Sequence, residues 1–365
     1  MERIWTKHKK INTIPKLKVF VAMSGGVDSS VAAALLRKDG FNVVGVFLRP
    51  WSPFTKTSKR QSSLCMWKKD REDALRVAAH LDIPLSTWDF SRQYNEKVAQ
   101  YMIRGYTQGI TPNPDIMCNK EIKFGLFFNK AIREGADFIA TGHYANIRER
   151  NDGRYILATS KDSQKDQTYF LWTLKQKHLR KTLFPVGSLT KYEVRKYAKQ
   201  IGLPNHDKKD SQGVCFIGPL KMKSFLQQHI APRSGKIYHI DGRILGMHDG
   251  ACYYTIGQRH GLDIKTSDKP LFVIGKNMKK NSILVGEKKD LLSTEFRIKK
   301  LSILDNHVRF PVNVGIRIRH RAHLAKGILH KNGLVAFKKP QRAIAPGQSA
   351  VFYCKSHIVA GGIIH

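Results

Sequence analysis

Residues 17–30 read LKVFVAMSGGVDSS, and this stretch decides the fold. Leu17–Met23, apolar but for Lys18, reads as a strand of the kind that is buried on both faces of a parallel sheet. Ser24-Gly25-Gly26-Val27-Asp28-Ser29-Ser30 turns the chain. Ser29–Lys38 (SSVAAALLRK) then predicts a helix that stops at Gly40, a C-cap position. Further on, Asn42–Leu48 (NVVGVFL) predicts a second buried strand, Glu72–Leu81 a helix and Leu85–Phe90 a third strand. Ala136–Thr141 predicts a fourth strand running into Gly142-His143. This alternation specifies a doubly wound α/β domain with a parallel sheet, whose ligands bind beyond the carboxyl ends of the strands.

The turn itself carries chemistry. Two glycines let the backbone approach phosphate oxygens, and the following helix N-terminus offers free N–H groups and a favourable dipole. Ser24, Ser29 and Ser30 add hydroxyl donors. Asp28 is the informative residue, because a carboxylate beside a polyphosphate is repulsive unless a cation bridges them. The loop therefore predicts Mg²⁺ on pyrophosphate oxygens near Asp28. The Walker loop is absent, since Gly235-Lys236 and Gly275-Lys276 both lack the following Ser or Thr. A plain glycine turn with Asp28 as a helix cap would also fit these residues taken alone.

The pattern changes after Phe216. Lys236–Gly246 (KIYHIDGRILG) reads as a hairpin around Asp241-Gly242. Short strands follow at Leu271–Gly275, Ser282–Gly286, Asn313–His320, Leu334–Phe337 and Ala350–Tyr353, which indicates a β-barrel or sandwich. The expected organisation is a catalytic domain over 1–222, a small central domain over 223–290 and a C-terminal β-barrel-like domain over 291–365. Arg49–Lys69, basic and Ser-rich, reads as a loop.

Composition narrows the function classes. In 365 residues there are 64 Lys and Arg against 28 Asp and Glu, a net charge of +36. That excess points to a polyanionic partner, nucleic acid or an anionic membrane face, although a general Lys bias would give the same number. No stretch approaches the ~18 consecutive apolar residues of a spanning helix. Met1–Lys18 is basic without an apolar h-region, so a secretory signal is not expected. A bacterial cytoplasm is the first choice of compartment and mitochondria the second, with Glu2 and the lack of Ser speaking against a presequence. Cys65, Cys118, Cys215, Cys252 and Cys354 are odd in number and form no C-x-x-C, which argues against a disulfide scaffold or zinc ribbon.

Two cysteines stand in informative settings. In Thr111–Phe124 (TPNPDIMCNKEIKF), Asp115 precedes Cys118, and Lys120 and Lys123 follow. The cations are expected to favour the nucleophilic thiolate, with Asp115 suited to proton transfer or positioning. Cys215 lies in Lys208–Gly218 (KKDSQGVCFIG). The other three cysteines read as small hydrophobes.

The loop resembles the SGGxDS loop of the N-type ATP pyrophosphatases, which cleave ATP between the α and β phosphates. With TPNPDIMCNKEIKFG, ATGHYA, KDQTYFL, LFPVGSLTKYEVR, DSQGVCFIG, YTIGQRHGL and APGQSAVFY, the chain resembles the tRNA-specific 2-thiouridylase family over residues 18–363. The resemblance implies ATP binding at Ala22, Met23, Ser24, Gly25, Gly26, Val27, Asp28 and Ser29, at Leu48 and at Gly142. It implies that Cys118 is the nucleophile or resolving thiol and that Cys215 carries a persulfide. It implies tRNA contacts at Asn113, Pro114 and Asp115, at Lys165, Asp166 and Gln167, and at Arg319 and His320. His320 stands where many bacterial members have Tyr, and Leu48 where Met is common. The implied reaction adenylates the C2 oxygen of the wobble uridine and replaces it with sulfur. ATP and Mg²⁺ would be the cofactors, with tRNAs for Lys, Glu and Gln as substrates and a cysteine desulfurase or sulfur relay protein as donor. A monomer off the membrane is expected. Another pyrophosphatase-type enzyme such as a tRNA lysidine synthetase, or a non-catalytic RNA-binding protein, are the rival readings.

Overall fold

The computed structural model describes residues 16–52, 66–210, 222–262, 264 and 269–365. The chain divides into two compact units. One comprises residues 1–97, 115–218 and 356–358, and the other 98–114, 219–355 and 359–365.

The first unit contributes, in chain order, β1 (Lys18–Ala22), β2 (Asn42–Arg49), β3 (Leu85–Asp89), β4 (Phe138–Thr141), the hairpin strands β5 (Asn146–Glu149) and β6 (Tyr155–Ala158), and β7 (Thr182–Leu183). Five of these form a sheet in the order β3-β2-β1-β4-β7, with every neighbouring pair parallel. This is the doubly wound arrangement that the strand–helix alternation predicts. β1 sits at the centre and is buried along nearly its whole length, so its lack of polar alternation has a direct cause. Helix α1 (Val27–Lys38) starts two residues earlier than the composition suggests, because Gly26 already serves as its N-cap. Helix α2 (Met66–His80) also starts early, and Met66–Lys69 therefore belong to a helix and not to the expected loop. The charged start of α2 lacks an apolar face to announce it; residues 53–65 lie outside the described residues. Helix α3 (Lys191–Gln200) opens with a reciprocal cap. Thr190 Oγ1 accepts the Glu193 N–H at 3.2 Å, and the Glu193 carboxylate accepts the Thr190 N–H at 2.6 Å. Val19, Val21, Val31, Leu36, Val43, Phe47, Val77 and Val194 pack one continuous core between sheet and helices.

In the second unit, β8 (Gly235–His239), β9 (Ile244–His248), β10 (Phe272–Asn277) and β11 (Ser282–Gly286) form a sheet in the order β10-β11-β8-β9. The β8–β9 pair is the hairpin expected around Asp241-Gly242. Next come β12 (Leu292–Ile303), β13 (Val312–Arg317), β14 (Ala325–Leu329), β15 (Leu334–Arg342), β16 (Ser349–Cys354) and β17 (His357–Ile364), in the order β12-β15-β14-β13-β16-β17. β17 pairs back onto β12, as at Ile298 with Ile364, and closes a barrel. Phe296, Ile316, Leu329, Val335, Phe352 and Val359 fill its interior. Residues 98–114 belong to this unit, where Gln348 Nε2 donates to the Thr111 carbonyl at 2.8 Å. Among the described residues, no helix is long and apolar enough to cross a membrane.

Candidate active site

The phosphate loop leaves the carboxyl end of β1, with Ala22 and Met23 buried and Ser24 exposed. Gly25 has φ +74°, and a Cβ there would stand 2.1 Å from the Asp70 carbonyl oxygen, so glycine alone fits. The Gly25 carbonyl accepts Asn205 Nδ2 at 2.9 Å and Lys208 Nζ at 3.2 Å. Fixing that oxygen on one side of a planar trans peptide turns the Gly26 N–H to the other, where it donates to Ser24 Oγ at 3.4 Å on the side open to an anion. Hydroxyls brace the turn. Ser24 N donates to Ser29 Oγ at 3.2 Å, and Ser29 Oγ and Ser30 Oγ donate to the Gly26 carbonyl at 3.0 and 2.9 Å. Gly142, just beyond β4, lies against this turn, since a Cβ on it would approach Ser29 N to 2.6 Å. Leu48 lies near the end of β2, half-buried. The structure thus gathers Ala22–Ser29, Leu48 and Gly142 at the carboxyl ends of three adjacent strands.

A charged cluster surrounds Asp28. Its Oδ1 accepts Tyr144 OH at 2.8 Å and Lys191 Nζ at 2.7 Å. Lys191 also pairs with Asp210 Oδ1 at 2.7 Å, and Asp210 further takes Arg195 at 2.9 Å and Lys165 at 2.8 Å. Burial opposes ionisation of Asp210, but the hydrogen bonds from Lys165 and Lys191 outweigh it and hold the carboxyl well below its ordinary range. Burial, reinforced by the Asp28 charge, pushes the Tyr144 hydroxyl far up, so it stays a donor. Tyr144, Lys191, Arg195 and Asp210 do not figure among the site residues expected from sequence. Their partners lie up to 163 positions away, although TKYEVR within the resembling stretch carries two of them.

Lys165, Asp166 and Gln167 adjoin this cluster. Asp166 is 3% exposed and accepts Ser160 N at 3.2 Å and Thr168 Oγ1 at 2.8 Å. Gln167 Oε1 accepts Tyr144 N at 2.9 Å. In this conformation Gln167 positions the Tyr144 backbone, Asp166 ties Ser160 to Thr168, and Lys165 presents the more accessible side chain.

Cys118 begins a π-helical stretch, Cys118–Phe127, directly after the short helix Pro114–Met117. Wide turns of this kind recur at functional sites. Burial pushes the Cys118 thiol up; Lys123 and a hydrogen bond from Tyr94 pull it down, and Asp115 pushes it up again. The net direction is upward, which corrects the expectation that neighbouring lysines yield a resting thiolate. Lys120 turns instead to Glu121 at 3.1 Å. Burial likewise raises Asp115, against the pull of Lys123. Lys123 Nζ lies 3.4 Å from His143 Nε2, and Thr141 Oγ1 lies 2.7 Å from His143 Nδ1. An ammonium can only donate, so Nε2 accepts and the ring proton sits on Nδ1. Burial, aided by Lys123, holds this imidazole well below its ordinary value and keeps it neutral. Packing and hydrogen bonds therefore run from Ser29 through Gly142 and His143 to Lys123, whose charge acts on both Cys118 and Asp115.

Cys215 lies outside the described residues, but the chain leading to it is anchored. Lys208 holds the Gly25 carbonyl, with Asp70 at 2.7 Å and Asp73 at 2.6 Å, and Asp210 pairs with Lys191. Asn113 and Pro114 belong to the second unit. So do Arg319, whose guanidinium donates to the Ala343 carbonyl at 2.7 Å, and His320. Burial, with Arg321 and Arg317 nearby, lowers His320 to about 4, so it is neutral at pH 7. Among the described residues no three His, Cys, Asp or Glu side chains cluster as a metal site. A Mg²⁺ carried by phosphate oxygens would find Asp28 on the loop and Asp210 across the shared Lys191.

Three family descriptions match in succession: tRNA methyl transferase HUP domain over residues 17–219, tRNA methyl transferase PRC-barrel domain over 223–287, and aminomethyltransferase beta-barrel domain over 293–364. A tRNA-specific 2-thiouridylase of Geobacillus kaustophilus is 43% identical over 359 residues, 96% of this chain and 95% of that protein. One from Streptococcus uberis is 42% identical over 360 residues, 96% of this chain and 95% of that protein. One from Bacillus licheniformis is 42% identical over 357 residues, 95% and 94% respectively. The chain belongs to the tRNA-specific 2-thiouridylase family.

Proposed function

We propose that this protein is an ATP-dependent tRNA-uridine 2-sulfurtransferase. The observation that carries the reading is that the phosphate loop is joined through Gly142 and His143 to Lys123, whose charge acts on Cys118, inside one compact unit. A methyl donor brings its own leaving group and needs no phosphate loop, whereas a carbonyl oxygen must be activated before sulfur can replace it. In the first step the uridine C2 oxygen attacks the α-phosphorus of ATP and pyrophosphate leaves, held at Gly26 and the serines; Asp28 would hold a Mg²⁺ that offsets the phosphate charge. Lys191 and Lys165 supply fixed positive charge as the phosphates part.

Sulfur then arrives as a persulfide on Cys215. In one route, the Cys118 sulfur attacks Cys215 and expels hydrosulfide, which adds to C2 and displaces AMP. In the other, the terminal persulfide sulfur displaces AMP, and Cys118 then attacks Cys215 to free 2-thiouridine. Both routes leave a Cys118–Cys215 disulfide that must be reduced by two electrons before the next turnover. A half-buried thiol at Cys118, pushed up by its surroundings, suits either, because it becomes nucleophilic only when a base accepts its proton, and Asp115 is close enough to act on it electrostatically. The target base has to leave the anticodon stack to reach these groups.

The substrates are wobble-uridine tRNAs for Lys, Glu and Gln, and the sulfur comes from a cysteine desulfurase or relay protein. The protein acts as a monomer, and the bacterial sources of the relatives fit a cytoplasmic enzyme. Cys118→Ser and Cys215→Ser should each abolish 2-thiouridine formation on a tRNA transcript supplied with ATP and a persulfide donor. Full thiolation by either variant would overturn the assignment.

A further inference from the structure

The net charge is unevenly spread. Residues 17–219 hold 33 Lys and Arg against 19 Asp and Glu, whereas 293–364 hold 13 against two. Two carboxylates cannot neutralise thirteen cations, so most of the barrel's charge faces solvent or a partner. Its lysines also converge. On the outer face of the barrel, Gly315 of β13 pairs with Lys326 of β14 on one side and Tyr353 of β16 on the other. β14 pairs with β15 through Gly327 and Phe337, and the next step of that register sets Lys326 beside Lys338. The outer row is thus Lys338, Lys326, Gly315, Tyr353. Like charges directly opposite one another on a sheet destabilise it. Neither lysine, nor nearby Lys355, is hydrogen-bonded or ion-paired to any described residue.

Leu324 packs over Gly315, where a Cβ would meet its Cδ2 at 2.6 Å, and beside it lies a cleft of about 410 Å³ bordered by Lys326, Lys338 and Lys355 and by no acidic side chain. Arg317, two residues along β13 on the same face, carries its guanidinium 5.2 Å from the centre of the Tyr353 ring. A cleft of that size takes a group as large as one nucleotide.

We infer that this cleft is a second RNA-binding subsite, separate from Arg319 and His320, that takes a phosphodiester segment of the tRNA substrate between Lys326, Lys338 and Lys355. The inference rests on the tRNA reading above and adds where on the barrel the backbone is held. A polyanion offers repeated charges at the spacing of successive phosphates, which is what a row of unpaired lysines on adjacent strands can meet. The contact is to backbone, so it carries affinity and not sequence choice.

The test is tRNA binding by the full chain, followed by fluorescence anisotropy across a range of salt. For Lys326→Gln/Lys338→Gln, two lost phosphate contacts should reduce the slope of log Kd against log salt by about 1.4–1.8. At about 0.15 M salt that corresponds to binding roughly ten- to thirtyfold weaker. Thiolation at saturating tRNA should keep the parent kcat with a raised KM. Lys199→Gln, on the exposed side of α3, should change the slope by far less. An unchanged slope in the double variant overturns the subsite, and so does an equal change in Lys199→Gln, which would make the effect one of net charge. If the parent binds tRNA but makes no 2-thiouridine, the functional reading fails and the subsite stands; if the parent does not bind tRNA, both fail. Equal melting temperatures for parent and double variant exclude misfolding as the cause.

Discussion

The phosphate-loop cluster and the outer face of the barrel treat the same residue types in opposite ways. Around Asp28, each cation has an internal partner: Lys191 has Asp28 and Asp210, Lys165 and Arg195 have Asp210, and Lys208 has Asp70 and Asp73. On the barrel, Lys326 and Lys338 stand side by side with no described partner. Positive charge in the first place builds a scaffold that orders a loop before nucleotide arrives; in the second it is held in reserve for a ligand. The difference gives the +36 a distribution and a meaning that the total does not have. Removing a paired cation should cost stability and chemistry, and removing an unpaired one should cost only binding.

The largest effect belongs to the loop. Gly25→Ala drives a methyl into the Asp70 carbonyl at 2.1 Å and strains a backbone at φ +74°. Displacing the loop by even ~1 Å should lower tRNA-dependent conversion of ATP to AMP by ~100-fold or more. AMP formation at the parental rate would mean that the loop does not hold the phosphates. Next comes Lys191→Met, which deprives Asp28 and Asp210 of a shared, largely buried partner. Urea unfolding should show a loss of about 1–3 kcal/mol, since two partly buried carboxylates each lose a charged donor. The salt slope of tRNA binding should stay at the parental value, the reverse of the barrel double variant. A Lys191→Met variant with altered slope and intact stability would erase the contrast.

The smallest effect crosses both regions. His143 in the first and His320 in the second are held neutral, His320 with its value lowered to about 4. The unfolded chain takes up these protons near the ordinary histidine value of ~6.5, before the folded chain does. Stability from this source is therefore fully present above ~6.5 and lost as pH falls toward 4. The urea midpoint should be lower at pH 5 than at pH 7.5, and His320→Gln should reduce that difference. A midpoint indifferent to pH across this window would remove both histidines from the stability balance.

Much of the fold was legible because its signals are local. An apolar run, a pair of glycines and a helix-forming stretch place β1, the loop and α1 within a few residues of their positions. β12, β14 and β17 were not, because their sequences, LSTEFRIKKLSI, AKGIL and HIVAGGII, interleave charge or glycine where a half-exposed barrel strand permits it. The site divides in the same way. The two glycines, Asp28 and Cys118 stand in motifs, whereas Lys191 reaches Asp28 across 163 residues and Tyr94 reaches Cys118 from another element. Lys120 and Lys123 are near Cys118 in sequence, yet burial, which the sequence does not display, moves the thiol the other way.

The central claim is that one chain couples adenylation at the SGGVDSS loop to thiol chemistry at Cys118. Its most direct test is to incubate the protein with ATP, a persulfide donor and an unmodified wobble-uridine tRNA, then quantify AMP and 2-thiouridine together by mass spectrometry. Coupling predicts AMP and 2-thiouridine in equal amounts for the parent, and no 2-thiouridine for Cys118→Ser. Thiolation at the parental level by Cys118→Ser, or 2-thiouridine formed without AMP, would contradict it.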